Sequence, residues 1–375
     1  MSTTIDRPER LPTQADVARR AGVSQATVSM ALNTGPSTRT RLTDETRERV
    51  LAAVEETGYW GNLAARNLAG GSTSVLGVFT YEPVFPHESS DFYYPFLQGI
   101  EGEALHHDVD LLLFTSSPSQ DSGREGLTSW ARRGRLRLAD GCILLGRHSH
   151  RRDLAELIAH DYPYVFIGRR ETDGAEVPYV AAGYEDATFI LTRRLVDHGH
   201  HRIGLALEFP DHESDQDRRR GYRRALQQEH LEPIELDGTA TGAAILQQAL
   251  ERRLTALAIT AGRAAELHHA MDDLSLRMPA DLSVVRLGDP EKADAGGANG
   301  HLDWTGFGVP RQDMGAEAVR MLLRRLRDKR RTDGSRPPTA SLQVTLPCHL
   351  SDGSTIGPPP TPTTDFHLTM NGLAP

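Results

Sequence analysis

Cysteine is nearly missing from this chain. Only Cys142 and Cys348 occur among 375 residues, which excludes a disulfide framework and a cysteine zinc site. A reducing cytoplasm is the simple expectation. Long apolar runs are missing too. Val109 to Phe114 is among the richest stretches, far short of the roughly 18 residues needed to span a bilayer. The opening MSTTIDRPERLPTQ has no apolar h-region, so no secretory signal is expected. Lysine is confined to Lys292 and Lys329. Catalytic signatures are absent: no H-E-x-x-H, Walker A or G-x-S-x-G occurs. The pairs His106-His107, His200-His201 and His268-His269 are adjacent and diverge on any regular element. No metal, cofactor or enzyme activity is expected from them.

What is present is ordinary globular material, 38% apolar and 25% charged, long enough for two or three domains. The net charge of −9 hides an asymmetry. Residues 1–70 carry nine arginines against eight acids, a net +1, so the rest carries −10. Acidic bulk repels a polyanion, which confines any nucleic-acid contact to the first segment.

That segment reads as short helices. Thr13 can cap the first, with Asp16 placed as a capping-box acid. Val17, Ala18 and Ala21 form its apolar stripe. Gly22 supplies a turn that needs positive φ, and Val23 points back into the core. Ser24 caps a second helix, Gln25–Leu32. Val28 and Leu32 face inward, while Gln25, Ala26, Ser29 and Met30 lie opposite. A third helix starts at Thr43, with Asp44 and Glu45 suited to its dipole. It buries Val50, Leu51 and Val54 and stops at Gly58. Two short helices joined by a glycine turn make a helix-turn-helix, whose second helix can enter a major groove by its N-terminal end. The spacing alone also fits a small helical bundle that binds nothing.

From Val75 the pattern changes to apolar strands separated by helical segments. The strands are expected at Val75–Thr80, Val109–Thr115, Gly141–Leu145, Tyr164–Gly168, Ile203–Glu208, Ala256–Thr260 and Ser283–Leu287. Helices are expected at Tyr94–His107, Asp186–His198, Arg218–Glu229 and Gly315–Arg327. Such alternation means parallel sheets with right-handed crossovers. The α/β part looks like two similar halves. Two doubly wound halves leave a cleft at the carboxyl ends of their strands, the usual position for a ligand.

The run Thr13-Gln-Ala-Asp-Val-Ala-Arg-Arg-Ala-Gly-Val-Ser-Gln-Ala-Thr-Val-Ser-Met-Ala-Leu-Asn33 resembles the DNA-binding head of the lac repressor family of bacterial transcription regulators. Every fixed position of T-x-x-D-V-A-x-x-A-G-V-S-x-x-T-V-S-x-x-L-N matches. Thr46-Arg-Glu-Arg-Val50, Gly58-Tyr59, Asn62, Ala65-Arg66 and Leu68 continue the likeness, which runs more weakly to about Thr355. Two departures stand out. The Thr34–Leu42 connection is about four residues longer than usual in the family, and Gly61 replaces the usual Pro.

The resemblance implies an all-α helix-turn-helix domain followed by an α/β core of two doubly wound parallel-sheet lobes, periplasmic-binding-protein-like. The expected boundaries are a disordered arm at 1–12, the head at 13–60 and a hinge helix with linker at 61–72. The core follows at 73–356, then a disordered tail at 357–375. Within the core, one lobe takes about 73–170 and 304–328, and the other about 171–302 and 330–356. The chain then crosses between lobes near residues 171, 303 and 329.

The implied function is a cytoplasmic, homodimeric transcription regulator, a repressor, on a pseudo-palindromic double-stranded DNA operator. Thr13 would belong to the DNA-binding surface, Ser24, Thr27, Ser29 and Asn33 would position the helix against phosphates, and Gln25, Ala26 and Met30 would face base edges. Asn62, Ala65 and Leu68 would form the hinge, with Leu68 wedged into the minor groove.

A small-molecule effector, a sugar or other metabolite, is implied in the cleft. Arg218 matches the family's effector-binding Arg, although it also sits in a basic run, Arg218 to Arg220. Gly168, Gly183-Tyr184, Thr260-Ala261 and Gly288 replace the family's polar residues, leaving Asp289. Tyr81, Phe92, Tyr93 and Trp304 are candidate cleft aromatics. The missing carboxylates leave two readings open: a different ligand held by Arg218, or a vestigial pocket. A solute-binding transport component is a further alternative, opposed by the DNA head.

Overall fold

The structure is a computed structural model that describes residues 12–32, 42–59, 73–81, 87–115, 135–146, 151–172, 176–289, 302–330 and 342–360. The chain divides into two compact units, Met1–Thr73 and Ser74–Pro375. Asn33, Asn62, Ala65 and Leu68, and with them the expected hinge, lie outside the described residues.

In the first unit α1 (Gln14–Ala21), α2 (Gln25–Leu32) and α3 (Asp44–Thr57) pack around Val17, Ala18, Ala21, Val28, Ala31, Val50 and Ala53. Val23, Leu32 and Val54 pack against this core as expected. Leu51 does not: it is 46% exposed. Ala53 takes the inward place, because the face carrying Val50 continues at three-residue spacing to Ala53.

The second unit holds two six-stranded sheets. The first is built from β1 (Val75–Thr80), β2 (Asp110–Thr115), β3 (Gly141–Leu145), β4 (Tyr164–Ile167), β5 (Tyr179–Ala182) and β11 (Gln343–Leu346), in the order β11-β5-β4-β3-β1-β2. All its pairings are parallel. The second contains β6 (Ile203–Ala206), β7 (Ile234–Leu236), β8 (Ala256–Thr260), β9 (Ser283–Leu287), β10 (Gly306–Gly308) and β12 (His349–Ser351), in the order β12-β10-β9-β8-β6-β7. Among the described strands only β12 runs antiparallel.

Parallel sheets need both faces covered. Strands β1, β3, β4 and β8 are accordingly buried along their whole length. Helices α4 (His87–His106) and α10 (Arg311–Arg330) cover one face of the first sheet, and α5 (Arg151–Ala159) the other. On the second sheet α6 (Tyr184–Asp197) and α7 (Glu213–Gln227) cover one face. Helices α8 (Gly242–Glu251) and α9 (Ala261–Asp273) cover its other face.

The chain passes between the sheets three times, but not at the expected places. It crosses at Gly183 after β5, between β10 and α10, and at Pro347–Cys348 between β11 and β12. Tyr179–Ala182 and Gln343–Leu346 therefore belong to the first lobe and Gly306–Gly308 to the second, against the expected lobe limits near residues 171, 303 and 330. The reason is that these strands carry little strand signal. β5 is four residues long, β10 is Gly-Phe-Gly, and edge strand β11 alternates exposed and half-buried residues. Helix α7 begins at Glu213, five residues before the expected start, because Glu213 and Asp215 suit a helix N-terminus.

The expected tail is ordered at its start. Gly357 donates its N–H to Ser283 Oγ at 3.0 Å. Its carbonyl accepts from the buried His200 Nε2 at 2.9 Å. Residues 361–375 lie outside the described residues. Among the described residues no helix is long and apolar enough to cross a membrane.

Candidate nucleic-acid interface and interlobe site

The head is assembled by its caps. The Asp16 carboxylate accepts from Thr13 N at 2.9 Å and from Thr13 Oγ1 at 2.7 Å. Gly22 takes φ +65°, a left-handed conformation that ends α1 and turns the chain. Val23 N then donates back to Ala18 O at 3.0 Å. Ser24 Oγ accepts from Thr27 N at 3.1 Å and lies 2.8 Å from Thr27 Oγ1. Thr43 Oγ1 caps α3 by accepting from Thr46 N at 3.3 Å. Arg47 Nη2 donates to Ala31 O at 3.3 Å, tying α3 to the C-terminal end of α2.

The result exposes the N-terminal end of α2, with Gln25 and Ala26 exposed and Thr27, Ser29 and Met30 half-buried. Six expected contact residues, Ser24 to Thr27 with Ser29 and Met30, thus share one short helix and its cap, and Thr13 stands at the start of α1. Exposed donors at a helix N-terminus suit a phosphate, and the first turn beyond them suits base edges.

In the core, Arg218 is buried and is not a surface member of its basic run. Its Nη1 donates to Asp215 Oδ1 at 2.7 Å, one helical turn away. Its guanidinium carbon lies 4.2 Å from the Tyr184 ring centroid and 5.8 Å from that of Phe307. Asp215 is held further by Phe209 N at 2.9 Å. Asp289 accepts from Val309 N at 3.1 Å and pairs with Arg311 Nη2 at 3.3 Å. Arg311 covers the Phe92 ring at 5.0 Å. Burial raises the Tyr184 phenol, against the opposing pull of Arg218 and Arg311. Burial likewise pushes the Cys348 thiol up to about 12, with Arg218 opposing.

Arg218 and Asp289 therefore lie about Tyr184, and Arg311 links Asp289 to Phe92. The other three aromatics do not join them: Tyr93 is buried in the hydrophobic core of the first lobe. Tyr81 follows the carboxyl end of β1 and packs on Phe166 at 6.1 Å and edge-on to Phe79 at 5.0 Å. Trp304 precedes β10 and packs against the core on the face of the second sheet that α8 and α9 cover. There it packs against His268 at 6.3 Å and Arg286 at 5.5 Å.

Sequence reasoning missed the lobe-to-lobe pairs. Arg169, just after β4, donates to Asp217 of α7 through Nη2 at 2.7 Å and Nε at 3.3 Å. Arg170 reaches Glu213 Oε2 at 3.4 Å and Gly146 O at 2.6 Å, and covers the Phe166 ring at 4.3 Å. The signal available was two arginines following a strand, and Asp215 three residues before Arg218.

A helix-turn-helix head and a two-lobed parallel-sheet core in one chain define a class of DNA-binding regulators. Family profiles agree along nearly the whole chain. "Bacterial regulatory proteins, lacI family" matches residues 13–62 and "Periplasmic binding proteins and sugar binding domain of LacI family" matches 82–260. "Periplasmic binding protein-like domain" matches 192–355. The chain belongs to the lacI family of bacterial regulatory proteins.

Catabolite control protein A of Priestia megaterium is 29% identical over 322 residues, covering 82% of this chain and 91% of that protein. The HTH-type transcriptional repressor PurR of Vibrio campbellii is 28% identical, covering 85% and 93%. A lac repressor dimer bound to operator and the anti-inducer ONPF superposes with a TM-score of 0.67 at 23% identity, covering 92% of this chain and 99% of that chain. A CelR-cellobiose complex gives 0.59 at 24% identity, with coverage of 92% and 99%. At these identities the two structures establish the shared fold.

Proposed function

We propose that this DNA-binding transcriptional regulator is a cytoplasmic repressor that binds a pseudo-palindromic operator as a homodimer. The observation that carries the reading is the exposed, Ser24-capped start of α2, presenting Gln25 and Ala26 on a head whose other face is packed. Thr13 belongs to the DNA-binding surface, and Ser24, Thr27, Ser29 and Asn33 position this helix on phosphates, while Gln25, Ala26 and Met30 read bases. Gln25 can pair bidentately with adenine; Ala26 and Met30 offer apolar contact, as to a thymine methyl. Few base hydrogen bonds follow, with some reliance on DNA shape. Asn62, Ala65 and Leu68 act as the hinge, Leu68 as the minor-groove wedge. The operator-bound dimer of the lac repressor supports this assembly.

A small effector in the interlobe cleft shifts the population between two lobe arrangements that differ in operator affinity. The buried Arg218 supports a working site, as does the cellobiose held by CelR in its complex. No catalytic step is part of the mechanism; the relatives are transcription regulators.

The test is selection of the full chain against random duplex DNA. An enriched inverted repeat, bound with a steep salt dependence, is expected. Failure to enrich any repeat, with a folded protein, would sink the reading.

A further inference from the structure

The two lobes are stiff bodies. Gly99 and Gly315 leave no room for a Cβ where α4 meets α10, and Gly221 leaves none where α7 meets α6. Each helix pair therefore moves with its own sheet, and a change of the cleft falls on the crossovers. Tyr184, Val309 and Cys348 stand at those crossovers and pack against the cores of both lobes. Gly183 N ties the first crossover to the third by donating to Leu346 O at 2.8 Å.

Across the cleft the chain supplies its own charge pairs. Strand β4 ends at Ile167, and Gly168 then takes φ +107°, turning the chain into Arg169 and Arg170. A Cβ at Gly168 would lie 3.3 Å from Arg170 Nη1, so glycine leaves that guanidinium its place. On α7, Glu213 and Asp217 are four residues apart and share one face. Asp215 lies off that face and holds Arg218 instead. Arg169 takes Asp217 at 2.7 Å and the Glu213 carbonyl at 3.3 Å. Arg170 is fixed on its own lobe by Gly146 O at 2.6 Å and reaches Glu213 Oε2 at 3.4 Å.

These are direct contacts between side chains of opposite lobes, so closing them calls for no bridging molecule. Resting on the reading of the core as having two lobe arrangements, we propose that Arg169 and Arg170 form a built-in latch. The latch makes the closed arrangement the resting one, and an effector works on a core that already closes itself. Parting the lobes returns the charges to water, so the latch biases the two arrangements by about tenfold and no more. A bias of that size is within reach of a small ligand.

The chain's two cysteines report lobe opening and unfolding separately. Cys348 stands half-buried at the third crossover, between the two cores, and Cys142 is fully buried inside the first lobe. The experiment is modification of the full chain by neutral N-ethylmaleimide, followed at each thiol by mass spectrometry, with neither DNA nor added ligand. Arg169→Gln and Asp217→Asn, on opposite lobes, should each speed Cys348 by about tenfold and leave Cys142 slow. The double variant should fall well short of the product of the two effects, because either change alone undoes the pair. If Asp217→Asn does not fold, Arg169→Gln remains informative, since Arg220 still pairs with Asp217. Unchanged Cys348 rates, or effects that multiply in the double variant, would overturn the latch. Both thiols speeding together would make the pairs a plain stability element and overturn it as well. The labelling needs no operator, so failure of the latch leaves the repressor reading standing, and a failed operator selection leaves the labelling result standing.

Discussion

Arg169 reaches from the end of β4 on the first lobe to Asp217 on α7 of the second, with Nη2 2.7 Å from Oδ1 and Nε 3.3 Å from Oδ2. The bidentate geometry is the strong form of an arginine–carboxylate pair, and Asp217 is buried. Arg220 also pairs with Asp217, so the carboxylate sits between two guanidiniums. The protein's own side chains therefore tie the lobes together at the cleft.

Arg169→Ala should loosen this tie. The loss is expected to be about 2 kcal/mol of core stability, below the full cost of orphaning a buried charge because Arg220 remains. Donor–acceptor labels placed on the two lobes should report a larger mean separation. An unchanged separation with lowered stability would make the pair a packing element with no part in lobe closure.

The caps of the head can be tested apart from its DNA contacts. Asp16→Ala removes both bonds to Thr13 and should cost about 1 kcal/mol. Gly22→Ala should cost a similar amount, since a Cβ there meets open space but φ +65° is strained for it. Hydrogen exchange of the α1 amides would show faster opening in both, with the core amides unchanged.

Base reading should be local to α2. Gln25→Ala is expected to relax preference at one base position per half-site, by about 1–3 kcal/mol if the pairing is bidentate. Selection on a library varied across the operator measures this directly. A uniform loss at all positions would reassign Gln25 to phosphate contact.

His200 predicts a pH dependence. It is fully buried, bonded to Gly357 O at 2.9 Å, with Nδ1 2.9 Å from Thr255 Oγ1. Burial lowers its proton affinity below the ordinary value of 6.5, and the Gly357 bond opposes this. Below that value the unfolded chain binds a proton that the folded chain refuses, so folding loses stability as pH falls. Above it the two states hold the same number of protons and the effect vanishes. In His200→Gln this part of the acid sensitivity should be absent. Parallel urea titrations of both proteins from pH 8 to pH 5 should therefore converge toward the acid end.

Much of this was legible in the residues. The polar caps Thr13, Ser24 and Thr43 and the turn at Gly22 act within four residues of the groups they satisfy, so the head's helices could be placed from the sequence. The buried strands β1, β3, β8 and β9 showed as apolar runs, because a strand covered on both faces has no polar side to display. Arg218 was found by its R-x-x-G-Y setting. Its burial was not, since nothing within its basic run says which arginine turns inward.

By itself the sequence determined the helix-turn-helix and the apolar central strands, set by local periodicity and short-range hydrogen bonding, and its Thr13–Asn33 motif carried the family resemblance. Only the tertiary structure decided where the chain changes lobes. Strands such as Gly306–Gly308 and Gln343–Leu346 are strands because a neighbouring sheet edge offers them partners. It alone decided that Arg169 meets Asp217, that Trp304 packs with His268 and Arg286, and that Arg218 is buried against Asp215 and Tyr184. The Asp215 contact aside, those relations join residues far apart in the chain. Their energies come from burial and charge pairing that exist only once both lobes have folded.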